Sequence, residues 1–180
     1  MSIILPIIEK IRREKRFCGS FAQKVSILHN QQCDFDEVER VIYTSAEVHP
    51  DCLDRGSGIT KHTTWCVGND GVRGDMAVQL ISKRLGGPGH HFNFIPLNKK
   101  IDLTVWKKYE TTIYEHVKKG GNRHALMAFA LDYDDEKSLE FSRPIKIYYH
   151  FALYENNEVV GDFMEDVIDN PSPRDYKEGQ

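Results

Sequence analysis

The sequence predicts an α+β domain built around a central antiparallel sheet, and three observations predict it. A long amphipathic segment, Leu103 to Lys119, has the marks of a helix. Three β-rich segments follow it, with a turn signal between the last two. Ahead of it run a short β-rich segment, a glycine-rich loop and a proline-containing connector. The helix is justified from both ends and from its face. Asp102 is a good N-cap, and Gly120-Gly121 is a good stop. Asp102, Trp106, Glu110, Ile113 and Val117 recur at i, i+4, i+8, i+11 and i+15, which places them on one side of a 3.6-residue repeat. Lys118 and Lys119 suit the negative end of the helix dipole.

The strands rest on β-branched and aromatic runs. Ala125–Tyr133, Arg143–Tyr154 and Glu158–Met164 read as three of them, and Asn156-Asn157 tolerates the positive φ of a hairpin turn. Upstream, Asp75–Ile81 reads as a strand. Ile59–Val67 reads as its partner on its Thr60, Thr63, Thr64, Trp65 and Val67, and Asn69-Asp70-Gly71 reads as the turn that joins the two. Leu85 to Gly89 is the glycine loop, and residues 90–101, interrupted by Pro96, read mostly as loop. At the start, Ile3, Ile4, Ile7, Ile8 and Ile11 mark a helix over residues 1–17, closed by a basic cluster at its C-terminal end. Residues 18–57 are poorly patterned, with a strand expected near Val38–Tyr43 and a loop over Asp51–Gly58. The expected organisation is an N-terminal helix and extension over residues 1–57 packed on the domain, a domain over 58–169, and a frayed tail over 170–180.

Composition narrows the function classes. At 180 residues, with 28% charged and 40% hydrophobic positions, the chain is ordinary for a soluble domain that buries roughly two-thirds of its unfolded surface. No apolar run approaches the ~20 residues of a membrane span. The apolar start, Met1–Ile8, lacks a basic n-region and a small-residue cleavage site, so a cytoplasmic or nuclear location is expected. Cys18, Cys33, Cys52 and Cys66 form no C-x-x-C pair and read as free thiols. Net charge is −3, but it is unevenly spread. Residues 131–180 are strongly acidic, while Lys83, Arg84, Lys99, Lys100, Lys107 and Lys108 concentrate positive charge around the helix and glycine loop. Such a stretch is either a solvated helix face or a surface for phosphates. The chain contains no G-x-x-x-x-G-K-[ST], G-x-S-x-G or H-E-x-x-H. Cys66 and His62, read as members of one strand, have no third group and make no credible nucleophile pair.

One constellation carries more. Asp75-Met-Ala-Val-Gln79-Leu-Ile, followed by Gly86-Gly87, resembles the strand D-x-A-G-H-I-I and Gly-Gly of the DNA/RNA non-specific endonucleases. Asn93-Phe-Ile-Pro96-Leu97-Asn-Lys-Lys-Ile-Asp102-Leu-Thr-Val-Trp106-Lys-Lys-Tyr-Glu110 resembles their N-x-x-P-Q-x-x-x-x-N-x-x-x-[WY]-x-x-x-E without a gap. The similarity covers about Thr60–Gly121. It implies a ββα-metal (His-Me finger) unit embedded in the sheet. It also implies a strand histidine that deprotonates water and a helix asparagine that holds one divalent cation, usually magnesium.

The departures fall on the chemistry. The histidine position is Gln79, which has no proton acceptor near pH 7. The small residue before it is Val78, and the connector glutamine is Leu97. The metal asparagine is Asp102, a carboxylate that suits Mg²⁺. Asp75, Asn93, Pro96, Trp106 and Glu110 are kept. The resemblance therefore implies a catalytically degenerate nuclease-like domain that acts by binding nucleic acid, weakly and without sequence preference, or a protein partner. Two alternatives stand beside it. One is a working magnesium-dependent nuclease with His90 or His91 as displaced base; the other is a decoy or inhibitor of a related nuclease. Each kept residue also has a plainer reading: Trp106 as core, Asp102 as helix cap, Asn93 as turn residue, Gly86 and Gly87 as turn glycines.

Overall fold

The computed structural model describes residues 1–19, 26–134 and 138–173. Among them a six-stranded antiparallel sheet runs in the order β1-β2-β3-β6-β7-β8: β1 Cys18–Gly19, β2 His29–Phe35, β3 Val41–Val48, β6 Arg123–Tyr133, β7 Pro144–Glu155 and β8 Glu158–Asp169. A separate two-stranded ladder pairs β4, Asp75–Gln79, with β5, Phe94–Asn98. Three α-helices complete the fold: α1 Ile4–Lys15, α2 Lys61–Asp70 and α3 Thr104–Lys118.

The layers follow from strand alternation, because successive side chains point to opposite faces. Met127, Phe129 and Leu131 of β6 join Trp106, Ile113 and Val117 of α3 and Leu80, Ile95 and Leu97 of the β4–β5 unit in the main core. Ala128 and Ala130, on the other face of β6, meet Ile4, Ile8 and Ile11 of α1. The sheet is thus sandwiched between α1 and a layer holding β4, β5 and α3. Trp106 lies against Phe129 and Tyr149, with ring centroids 5.6 and 5.4 Å away.

The expected helices over 1–17 and 103–119, the strands at 75–81, 125–133, 143–154 and 158–164, and the Asn156-Asn157 turn all appear, the two asparagines at φ 51 and 66. Three expectations are corrected. Residues 59–67 are not a strand: they start α2. The Thr60 hydroxyl accepts the Thr63 N–H at 3.1 Å, and Thr63 and Val67, one turn apart, are both buried. A cap and an i, i+4 buried pair outweigh the strand propensity of β-branched residues. Asn69-Asp70-Gly71 accordingly ends a helix rather than making a hairpin.

The second correction is that the connector contains a strand. Pro96 sits opposite Ala77 in the ladder. The bonds Leu80 N–H to Asn93 O (2.8 Å) and Lys99 N–H to Gly74 O (3.3 Å) bracket the ladder and set alternate pairs, leaving Ala77–Pro96 a non-hydrogen-bonded pair. The missing N–H of proline therefore faces away from β4, where it costs no ladder bond.

The third correction concerns the ends. Residues 1–57 are no appendage, since β1, β2 and β3 are half of the main sheet. The stretch from residue 170 begins anchored rather than frayed. Asn170 is buried, and the Pro171 carbonyl accepts from Arg143 at 3.2 Å. The rest of the expected tail, 174–180, lies outside the described residues.

Candidate functional site

Strand β4, the turn that follows it and helix α3 enclose a cleft of about 250 Å³ lined by Met76, Ala77, Val78, Gln79, Ser82, Leu103, Trp106, Lys107 and Glu110. It is where the motif residues of β4 and α3 meet, and most of its wall is apolar. Glu110 is its carboxyl group. The Trp106 indole N–H donates to Glu110 Oε1 at 3.2 Å. Burial pushes the Glu110 carboxyl up to about 7, against the pull of the Trp106 bond and of the Lys107 and Arg84 charges. The Arg84 guanidinium lies 3.9 Å over the Tyr114 ring. Lys107 lines the cleft; Lys83 and Arg84 are exposed in the turn after β4, Lys108 on α3, and Lys99 and Lys100 in the turn between β5 and α3.

The other motif side chains are occupied by the scaffold. The Gln79 side-chain amide N–H groups donate to the carbonyls of Ser57 (3.0 Å), Pro88 (3.1 Å) and Gly87 (3.3 Å), and its Oε1 accepts the Lys83 N–H at 3.1 Å. Two amide hydrogens shared among three carbonyls leave no donor for a water. Asn93 is buried. Its Oδ1 accepts the Ile81 N–H at 2.9 Å, and its amide donates to Ile81 O (2.8 Å) and Pro88 O (3.0 Å). Asp75 receives the Arg143 guanidinium on both oxygens, at 2.8 and 2.9 Å, and the Val72 N–H at 2.9 Å. Arg143 is 1% exposed and also donates to Asn170 O, Asn170 Oδ1 and Pro171 O. The glycine loop completes this packing. Gly86 has φ +96, and a Cβ on Gly87 would fall 1.6 Å from the Ile81 carbonyl oxygen.

Asp102 does not share the cleft with Gln79. It is exposed ahead of α3, where its Oδ1 accepts the Thr104 hydroxyl (2.5 Å) and N–H (2.9 Å), and those two bonds hold its carboxyl below the usual range. It lines a neighbouring cavity with Trp106, Tyr149, Asp166 and Asp169. Among the described residues, the groups of three ligand atoms that close within 4.8 Å lie elsewhere and include none of these acids. Asp102 stands one residue ahead of the N-cap Leu103 rather than at the expected cap position, and an exposed carboxylate already engaged by Thr104 does not fit a magnesium site.

The histidine pair is also held apart from the cleft. His90 is exposed with its ring 6.1 Å from that of Phe92, and His91 lies 3.4 Å from Asp70 of α2, in a different cavity that includes Arg40 and Tyr133. The reason is the turn His91–Asn93: with Asn93 fixed beneath the glycine loop, its preceding residues face α2. His62 and Cys66, read as strand neighbours, stand one helical turn apart on α2 with Nε2 and Sγ 3.5 Å from each other. The scaffold role of Arg143 carries no motif signal, since its partner Asp75 is distant in sequence.

No family model and no curated protein matches the chain. Solved structures do. A protein described as an extracellular endonuclease aligns over 84% of this chain and 86% of its own, at 10% identity and a TM-score of 0.53. The Sda1 nuclease, solved with a bound zinc ion, aligns over 92% of this chain and 94% of its own, at 11% identity and a TM-score of 0.50. The chain therefore has a nuclease-like fold.

Proposed function

We propose that this chain is a nuclease-like domain that has lost hydrolysis and acts by binding, with nucleic-acid phosphates as its ligand. The observation that carries the reading is the state of Gln79. It stands where the resembled strand has its base, it lacks a titratable nitrogen, and its amide is consumed by three loop carbonyls. A positioned general base is typically worth 10²–10⁴-fold in rate. The site with that base missing keeps Lys107 on its wall, and Lys83, Arg84, Lys99, Lys100 and Lys108 are exposed on the segments that flank it, a basic surface suited to sequence-independent contact with phosphates.

One observation favours a second reading. Glu110 faces the same cleft with its carboxyl pushed up to about 7, the range of a working general base. In that reading the domain is a nuclease whose base has moved from β4 to α3.

The two readings separate in one set of assays. Purified protein is incubated with plasmid and RNA in magnesium or manganese, and its retention on single- and double-stranded DNA is followed against salt. The binding reading expects no cleavage, and retention that falls steeply with salt and is lost when Lys99, Lys100, Lys107 and Lys108 are reversed together to Glu. Cleavage that disappears in Glu110→Gln establishes the second reading. Absence of retention at low salt overturns the nucleic-acid ligand and leaves a protein partner.

A further inference from the structure

On the sheet face opposite the cleft, histidines gather from two strands and from the residue that follows a third. His29 of β2 is the ladder partner of Glu47 on β3. Two residues on, beyond the last paired position Val48–Ala125, His49 meets His124 of β6. The three imidazoles stack in a row, His29 on His49 at 4.1 Å between ring centroids and His49 on His124 at 4.7 Å; the Tyr154 ring of β7 closes the row 4.8 Å from His124. By alternation His124 shares its face of β6 with Ala128 and Ala130, which lie beneath α1, and not with Met127 and Phe129, which pack on α3. Helix α1 covers the far half of that face and leaves this end open.

Glu47 completes the arrangement. Its Oε2 is 2.9 Å from His49 Nε2, and one ligand atom each from Glu47, His49 and His124 lie within 4.8 Å of one another. The Glu47 and His49 side chains are 28% and 27% exposed, so solvent reaches them, while β2 and β6 hold the Glu47 backbone from both sides and His49 follows one residue after the end of β3. Bonds of about 2.0–2.2 Å to one zinc-sized ion put neighbouring donors roughly 3–3.5 Å apart. The Glu47–His49 pair, at 2.9 Å, stands just inside that spacing and opens to it by a small side-chain rotation, and rotation about χ1 and χ2 of the partly exposed side chains brings His124 in.

We propose that Glu47, His49 and His124 form a binding site for a divalent first-row transition ion of the zinc class, on the face of the sheet away from the cleft. Two imidazoles and one carboxylate suit Zn²⁺, Co²⁺ or Ni²⁺ rather than magnesium, which prefers oxygen ligands. Three protein ligands on an open face leave at least one position for water or an anionic ligand. The site owes nothing to the motif residues and is independent of whether the cleft hydrolyses anything.

The test is a Co²⁺ titration of the full chain at pH 7.5, followed by visible d–d absorption and then by displacement with Zn²⁺. The expected result is one equivalent of Co²⁺ with the bands of a low-coordinate site, bleached by one equivalent of Zn²⁺. His49→Ala and His124→Ala should each weaken binding by at least the roughly 10–100-fold that even an outer-shell partner is worth. Asp102→Asn should change nothing. Far-UV circular dichroism checks each variant for folding; if either histidine variant unfolds, the near-isosteric Glu47→Gln replaces it and should show the same order of loss. Binding that survives intact in the folded variants, binding lost only in Asp102→Asn, or no bands at all would each overturn the assignment.

Discussion

Two neighbouring regions of the molecule treat polar side chains in opposite ways. Along β4 and the loop that follows it, each polar motif group is used up: Gln79 by the carbonyls of Ser57, Gly87 and Pro88, Asn93 by both backbone groups of Ile81, and Asp75 by Arg143. A few ångströms away, the cleft between β4 and α3 is walled by Met76, Val78, Leu103 and Trp106, and Glu110 meets a single indole N–H there. The difference teaches what a motif preserves. A buried polar group left without a partner costs about 1–3 kcal/mol, so the residues that close the loop are held by stability whatever happens to the reaction. Nothing of that kind holds a catalytic base in place.

The largest effect is expected on the saturated side. Arg143→Met leaves the Asp75 carboxylate buried without its partner and strands the Asn170 carbonyl, while Pro171 keeps the Asn98 amide as donor. Removing one member of such a pair costs about 3–5 kcal/mol. Urea unfolding should show the midpoint falling accordingly, and adding Asp75→Asn to Arg143→Met should recover part of the loss. Equal losses in the single and double variants would break the comparison, because Asp75 would then not depend on Arg143.

Next comes Asn93→Ala, which unpairs the N–H and C=O of Ile81. A loss on the order of 2–3 kcal/mol is expected in the same measurement. A loss below about 0.5 kcal/mol, the size of an ordinary surface change, would mean that the loop is not held by this side chain.

The open side responds to pH. A carboxyl held near 7 in the folded chain and near 4.5 in the unfolded one binds more protons folded than unfolded between those values. Its contribution to stability is therefore present below about 4.5 and is lost as pH rises through about 7. Glu110→Gln should match the parent at pH 4 and exceed it at pH 8 by on the order of 1–2 kcal/mol, seen as a higher thermal midpoint. A midpoint difference that does not change with pH would remove Glu110 as the unsaturated group of the cleft. The smallest stability effect is expected on the basic surface. Reversing Lys99, Lys100, Lys107 and Lys108 should leave the unfolding midpoint within about 0.5 kcal/mol of the parent while abolishing DNA retention.

How much of this was legible follows the range of each interaction. Helix α3 and strands β6–β8 could be read because caps, turns and periodicity are local. Helix α2 could not, because Thr63 and Val67 are buried by distant packing, the Thr63 hydroxyl reaching the Gly89 carbonyl at 2.8 Å while local propensity pointed to a strand. Strand β5 was hidden by Pro96, whose harmlessness depends on ladder register. At the site, the spacing from Asn93 to Glu110 brought Glu110 and Trp106 to the cleft with Gln79, but it placed Asp102 on the same face, whereas Asp102 stands outside the first turn. Arg143 and the row His29, His49 and His124 were illegible for one reason: each joins strands or loops far apart in sequence, and only sheet order and register bring them together.

The central claim, that the motif position on β4 serves the loop and not a reaction, is tested most directly by Gln79→Ala, with unfolding and cleavage measured on the same preparation. The Ser57 carbonyl loses its donor and Lys83 N–H its acceptor, while the Gly87 and Pro88 carbonyls keep the Ser57 N–H and the Asn93 amide, so the account predicts an unfolding midpoint lower by roughly 1–3 kcal/mol. It also predicts no cleavage of plasmid or RNA in magnesium or manganese by either the parent or the variant. Metal-dependent cleavage by the parent that vanishes in Gln79→Ala, with the unfolding midpoint unchanged, would contradict it.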